Sequence, residues 1–156
     1  MGLDQYLYTN SKKACKAANK ATGAEPWRYQ YGTAIYWRKA NAIHQWFVKN
    51  VQYGEDDCRI YEVEVDQLKE LLAVCEEVLA DRSKARELLP TQAGFFFGSL
   101  EYDEWYWDDV RRTAAGIRAI LENIEPLVVK EFPVPAWREK GDPDEWEVRF
   151  YYSSSW

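Results

Sequence analysis

Three segments of this chain alternate in character with a period of two, and that pattern limits the fold more than any other feature. EWEVRFYY, residues 145–152, sets Trp146, Val148, Phe150 and Tyr152 against Glu145, Glu147, Arg149 and Tyr151. GLDQYLYT, residues 2–9, sets Leu3, Gln5 and Leu7 against Asp4, Tyr6 and Tyr8. CRIYEVEV, residues 58–65, sets Tyr61, Val63 and Val65 against Ile60, Glu62 and Glu64. Successive side chains of a strand leave opposite faces, so alternation means one face buried and one wet. That is the habit of antiparallel sheets; strands of a parallel sheet covered on both sides read as continuous apolar runs. Strands near 2–8, 59–65 and 145–152 are therefore expected in one sheet.

Helical spacing fills the intervals. Asn10 or Ser11 can cap a helix through SKKACKAANKA, and Gly23 can end it. Residues 24–35, with Pro26 and Gly32 among aromatics, read as a loop or a short irregular strand. Over residues 36–51, Trp37, Ala40, Ile43 or His44, Phe47 and Val51 fall on one side at helical spacing. Asp66 stands where an N-cap belongs, ahead of the stripe Leu68, Leu71, Leu72, Cys75, Val78 and Leu79. A short helix, SKARELL, stops at Leu89, since residues before a proline leave the α region. Asp103 opens a long helix to about Ile124, with Tyr106, Val110, Ala114, Ile117, Ile120 or Leu121 and Ile124 as its core side. Residues 131–143, with three prolines, read as a loop. The expected fold class is α+β, a mainly antiparallel three- to four-stranded sheet with three to four helices over one face. With 156 residues the chain is expected to form a single domain, 1–156.

Composition narrows the function. A formal charge of −6 disfavours binding to the backbone of a nucleic-acid duplex, which needs clustered Lys and Arg. No run of apolar residues is long enough to span a membrane, and no basic segment followed by an apolar core marks a secretory leader. Cys15, Cys58 and Cys75 are odd in number and widely spaced, which fits reduced thiols and a cytoplasmic location better than a disulfide framework. Without a C-x-x-C pair, they and His44 suggest no metal, and no cofactor motif is present. The eight tryptophans and eleven tyrosines read either as large side chains filling a small core or as a recognition surface, and exposed rings among them would mark contacts between copies of the chain.

Familiar catalytic patterns are missing: no G-x-G-x-x-G, P-loop, G-x-S-x-G or H-E-x-x-H occurs. His44, the one histidine, would share a helical stripe with Trp37 and Asn41, flanked by Arg38 and Lys39. That group could bind a ligand; a partly buried histidine satisfying a carbonyl is the commoner reason for one histidine on a helix. Asp56 and Asp57 read as a solvated turn or as cation ligands. Glu101 and Asp103 read as an acid–base pair, or Asp103 as a helix cap.

The stretch LLPTQAGFFFGSLEYDEWYWDD places Phe95, Phe96 and Phe97 between two glycines, ahead of Tyr102, Trp105, Tyr106 and Trp107. Thr91, Gln92 and Ser99 bring polar groups to these rings, the mixture a small-molecule pocket needs. The segment is either a plug anchoring the loop to the core or a pocket wall. Three consecutive side chains of an extended chain cannot all point one way, so at least one phenylalanine should face outward.

MGLDQYLY, YWRKANAIHQWFV, EDDC, LLPTQAGFFFGSLEYDEWYWDD and FYYSSSW together resemble a family of small bacteriophage and prophage proteins that open MGLDMYLY. The resemblance covers most of the chain, departs at Gln5, where the family has Met, and does not extend to residues 131–144. It implies a protein made in the cytosol of an infected or lysogenic bacterium, where such small proteins often counter host defences; it brings no catalytic residue.

Three functions fit these readings. The first is a non-catalytic protein that binds, and sequesters, a small nucleotide-like ligand through Trp37, Arg38, Lys39, Asn41, His44, Gln92, Phe96 and Tyr102. The second is a hydrolase of such a ligand, with His44 and a carboxylate as acid and base. The third is an inhibitor that presents the acidic aromatic face 101–109 to a basic host protein. A homo-oligomer is expected in each case.

Overall fold

The computed structural model describes residues 2–24, 32–94, 97–125, 128–129 and 146–156. Its main sheet has four antiparallel strands: β1 (Asp4–Thr9), β2 (Thr33–Arg38), β3 (Tyr61–Val63) and β6 (Phe150–Ser155), in the order β2-β1-β6-β3. A second sheet pairs two short strands, β4 (Val128–Val129) and β5 (Trp146–Glu147). Five α-helices are described: α1 (Lys12–Thr22), α2 (Asn41–Asn50), α3 (Val65–Ala80), the single turn α4 (Ala85–Leu88) and α5 (Glu104–Leu121). The fold class is α+β, and α4 lies within the short helix expected over SKARELL, its first residues forming a 3₁₀ turn.

The period-two alternation sets the sheet's two faces. Gln5, Leu7 and Thr9 lie opposite Ser154, Tyr152 and Phe150, and all six are buried. Ile35 and Trp37 continue that layer on β2, and Val63 continues it on β3. The reverse face carries half-buried Tyr6, Tyr8, Tyr36 and Tyr151. The helices pack on the inner layer, with α5 lying against both α1 and α3. Gly116 on α5 permits this closeness, since a Cβ there would sit 2.6 Å from Ile35 Cδ1. Ser11 caps α1 by accepting from the Ala14 N–H, and Gly23, at φ 67°, ends it as expected.

Three boundaries differ from the sequence reading. The helix expected over 36–51 is a strand as far as Arg38, and α2 begins only at Asn41. Tyr36, Trp37 and Arg38 pair with Tyr6, Gln5 and Asp4, and Lys39 turns the chain at φ 58°. Trp37 and Arg38 therefore share no helical stripe with Asn41 and His44. The strand expected over 59–65 keeps only Tyr61–Val63; Val65 already belongs to α3. The cap is Glu64 rather than Asp66, in a capping box with Gln67. The strand expected over 145–152 is divided: Trp146–Glu147 pairs with β4, and Phe150–Ser155 joins the main sheet. The expected loop at 131–143 lies outside the described residues. No helix among the described residues is long and apolar enough to cross a membrane.

Candidate functional site

The corner between β2 and α2 is held by main-chain bonds and by Gln5. The Lys39 N–H donates to the Leu3 carbonyl (2.7 Å). The Gln5 amide both donates to the Ala40 carbonyl (3.2 Å) and accepts from the Ala40 N–H (3.0 Å). The N-cap of α2 is therefore Ala40, whose side chain offers no acceptor. Asn41 N–H folds back to the Lys39 carbonyl, which leaves the Ala42 and Ile43 N–H groups without an acceptor among the described residues. Such an uncapped end concentrates partial positive charge and free donors.

Asn41 fixes the loop that faces this corner. Its amide donates to the carbonyls of Phe97 (3.1 Å) and Ser99 (2.9 Å), and its oxygen accepts from the Gln92 N–H (3.0 Å). Gly98, at φ 89°, lies against Lys39, where a Cβ would come within 3.1 Å of Lys39 Cβ. Tyr102 steadies the far end, its hydroxyl accepting from the Thr91 N–H (3.3 Å) and its ring tilted on Tyr106. Asp103 caps α5 through the Tyr106 N–H (3.1 Å).

Corner, loop and α5 enclose a first cavity of about 350 Å³, within the size range of small-ligand pockets. Its lining includes the cations Arg38 and Lys39 with the start of α2, and the carboxyls Glu101, Asp103 and Asp109. Trp105 lines it while remaining 79% exposed. Arg38 pairs with Asp4 (2.9 Å), whereas Lys39 has no ion-pair partner among the described residues. Burial pushes the Asp109 carboxyl up to about 7, against the pull of nearby Arg112.

Gln92, Ala93, Gly94 and Phe97, on the same loop, form part of a second cavity of about 420 Å³, together with Asp56 and Trp156. Behind this cavity His44 is fully buried. Its Nδ1 lies 2.7 Å from the Tyr152 hydroxyl and its Nε2 lies 3.0 Å from Asp56 Oδ1. Burial holds the His44 pKa below its ordinary value although Asp56 opposes this, so the ring is neutral at pH 7. The carboxylate needs a donor, which assigns the proton to Nε2 and makes Nδ1 the acceptor of the tyrosine O–H. Trp156 Nε1–H also donates to Asp56 Oδ1 (3.0 Å).

The expected residues therefore divide. Arg38, Lys39 and Asn41 line the first cavity, and Gln92 lines the second. Tyr102 supports the loop without lining either. Trp37 is core: it is fully buried, and its Nε1–H donates to Thr113 Oγ1 (2.8 Å). His44 is core as well, so the acid–base role considered for it is corrected; it has no surface with which to meet a ligand. Phe96 and Phe95 lie outside the described residues. Phe97 is a plug, 5% exposed, with its ring edge-on to His44 and Trp156. The sequence places Trp105 within the aromatic stretch without singling it out, and Asp109 was missed as a cavity residue. Asp109 had a signal: it follows Tyr106 by three and precedes Thr113 by four, a carboxylate on the core-facing stripe of α5. The chain matches no protein-family model, no curated protein and no solved structure.

Proposed function

We propose that the first cavity binds a small ligand with an anionic group and a flat ring, a nucleotide-like molecule, and holds it without converting it. One combination carries this reading: the uncapped start of α2, Arg38, Lys39 and the exposed Trp105 ring all line one cavity. Free N–H donors at a helix start, beside two cations, suit a phosphate or carboxylate. An exposed indole suits a stacked base, which contributes about 1–3 kcal/mol. Lys39 holds its left-handed backbone at this spot, where strain of roughly 1–3 kcal/mol is tolerated most often for function. The resemblance to phage proteins supplies a setting, sequestration of a host nucleotide signal in the bacterial cytosol. Self-association belongs to the same proposal, with the exposed Tyr53, Trp105 and Trp156 rings available to it.

The test is mass spectrometry of small molecules released by heating the protein after incubation with a nucleotide mixture. Intact nucleotide is expected, and Trp105→Ala should weaken its binding roughly tenfold, the loss of one stacking contact. Recovery of nothing would refute the proposal and favour the host-protein reading of the acidic 101–109 face. Recovery of altered nucleotide would favour the hydrolase reading. Asp109, rather than His44, would then be the proton-moving group, since among the described residues it alone combines a cavity position with a carboxyl pushed up to about 7.

A further inference from the structure

Asp109 is a half-buried group of the first cavity that local structure leaves unexplained. Asp103 caps α5, Arg38 pairs with Asp4, and Asn41 pins the loop. The Asp109 carboxyl lines the cavity, yet among the described residues it accepts no hydrogen bond and forms no ion pair. Arg112, its neighbouring cation, donates instead to the Tyr36 carbonyl (3.0 Å). A half-buried carboxyl in a cavity wall, to which no described residue donates, is placed to accept from a ligand.

We infer that Asp109 reads the ring edge of the ligand, accepting two adjacent N–H donors and so selecting a guanine-type base. This rests on the nucleotide reading given above and adds the class of base. The two oxygens of a carboxylate match two neighbouring N–H groups, one to each oxygen. An adenine-type edge presents a donor beside an acceptor and would set a lone pair against one of those oxygens. The surrounding wall points the same way, because Glu101 and Asp103 also accept. Arg38 and Lys39 line the same cavity and suit the anionic group.

A proton is linked to this recognition. The charged groups around Asp109 are Asp103, Asp108 and Arg112 on its own helix, Glu101 on the loop, and Arg38 and Lys39 at the corner. With burial they leave Asp109 titrating near neutrality when no donor faces it. Two N–H donors favour the ionised form, so a guanine-type ligand displaces the proton to solvent and binds more tightly as pH rises through 7.

The experiment is calorimetric titration of the whole protein and of Asp109→Asn with guanosine, inosine and adenosine monophosphates at pH 6 and pH 8. The ligand's phosphate ionises near pH 6, and the variant carries that contribution too, so the difference between the proteins isolates Asp109. The wild type should gain about tenfold more affinity for guanosine monophosphate between the two pH values than the variant does. At pH 8 the variant should bind it at least tenfold more weakly and should lose the preference over inosine monophosphate, which lacks the second donor. Equal affinity for the three nucleotides, or pH profiles that coincide in the two proteins, would overturn the inference and leave the nucleotide reading standing. Absence of binding by all three would overturn both. The variant relieves an unpaired carboxyl and keeps its shape, so its fold, checked by thermal melting, is expected to survive.

Discussion

A histidine with no exposed surface must find partners for both ring nitrogens inside the protein, and His44 finds Tyr152 and Asp56. His44→Gln should cost about 2–4 kcal/mol in urea denaturation at pH 7.5, because the tyrosine hydroxyl and the carboxylate lose a shared partner in a buried place. The pKa of His44 is lowered by folding, so below about pH 6.5 the unfolded chain takes up a proton that the folded chain refuses. The histidine's contribution to stability is therefore present above pH 6.5 and is lost on acidification below it. His44→Gln should flatten that part of the stability profile; an unchanged acid slope would contradict the assignment. Asp109 acts with the opposite sign. Its carboxyl loses its proton near 3.9 in the unfolded chain and near 7 in the folded one, so stability falls as pH rises between those values. Asp109→Asn should raise stability by about 2 kcal/mol at pH 8 and by nothing at pH 4. A variant that gains nothing at pH 8 would show that the carboxyl is not penalised by burial.

Among the elements, the described residues of the loop from Thr91 to Ser99 lean most on one side chain of α2. Asn41 makes three of its hydrogen bonds across the gap to α2. Asn41→Ala should cost about 1–3 kcal/mol, the usual penalty for leaving buried polar groups unpaired. It should also speed hydrogen exchange of the Gln92 and Phe97 amides ahead of the rest of the molecule. Uniform acceleration across all elements would instead mean that Asn41 supports the core and not the loop. The same scale shows what the sequence could reveal. Alternation identified the inner faces of β1 and β6 residue by residue, since a period of two admits one choice of face. Boundaries were less legible because they depend on partners distant in the chain. Trp37 fits a helical stripe with Ala40 and Phe47 as readily as a strand, and only the pairing of Tyr36, Trp37 and Arg38 with Tyr6, Gln5 and Asp4 makes this segment β2. Val65 fits the strand pattern too, but the Glu64–Gln67 capping box starts α3 there.

At the scale of the whole molecule, the candidate site belongs to no single segment. The first cavity gathers the end of β2, the start of α2, the loop before α5 and two turns of α5. The corner was legible as a cluster, Arg38, Lys39 and Asn41, although for the wrong reason, since those residues meet at a turn and not along a helix. Contact between Asn41 and the loop spans more than fifty residues of chain, and nothing local demands it. Trp105 read as one aromatic among many; only its exposure distinguishes it from buried Tyr106 and Trp107. His44 stood out in the sequence because it is the only histidine, yet its place in the fold is structural. The central claim is that a nucleotide-like ligand sits in the first cavity. The most direct measurement is a backbone and indole ¹⁵N–¹H NMR titration of the labelled protein with guanosine monophosphate. The largest shifts should fall on the Ala42 and Ile43 amides, on Thr91 and Ser99, and on the Trp105 indole. Shifts confined to Gln45, Gln92 and the Trp156 indole would place the ligand in the second cavity instead, and no shifts at millimolar nucleotide would contradict the account.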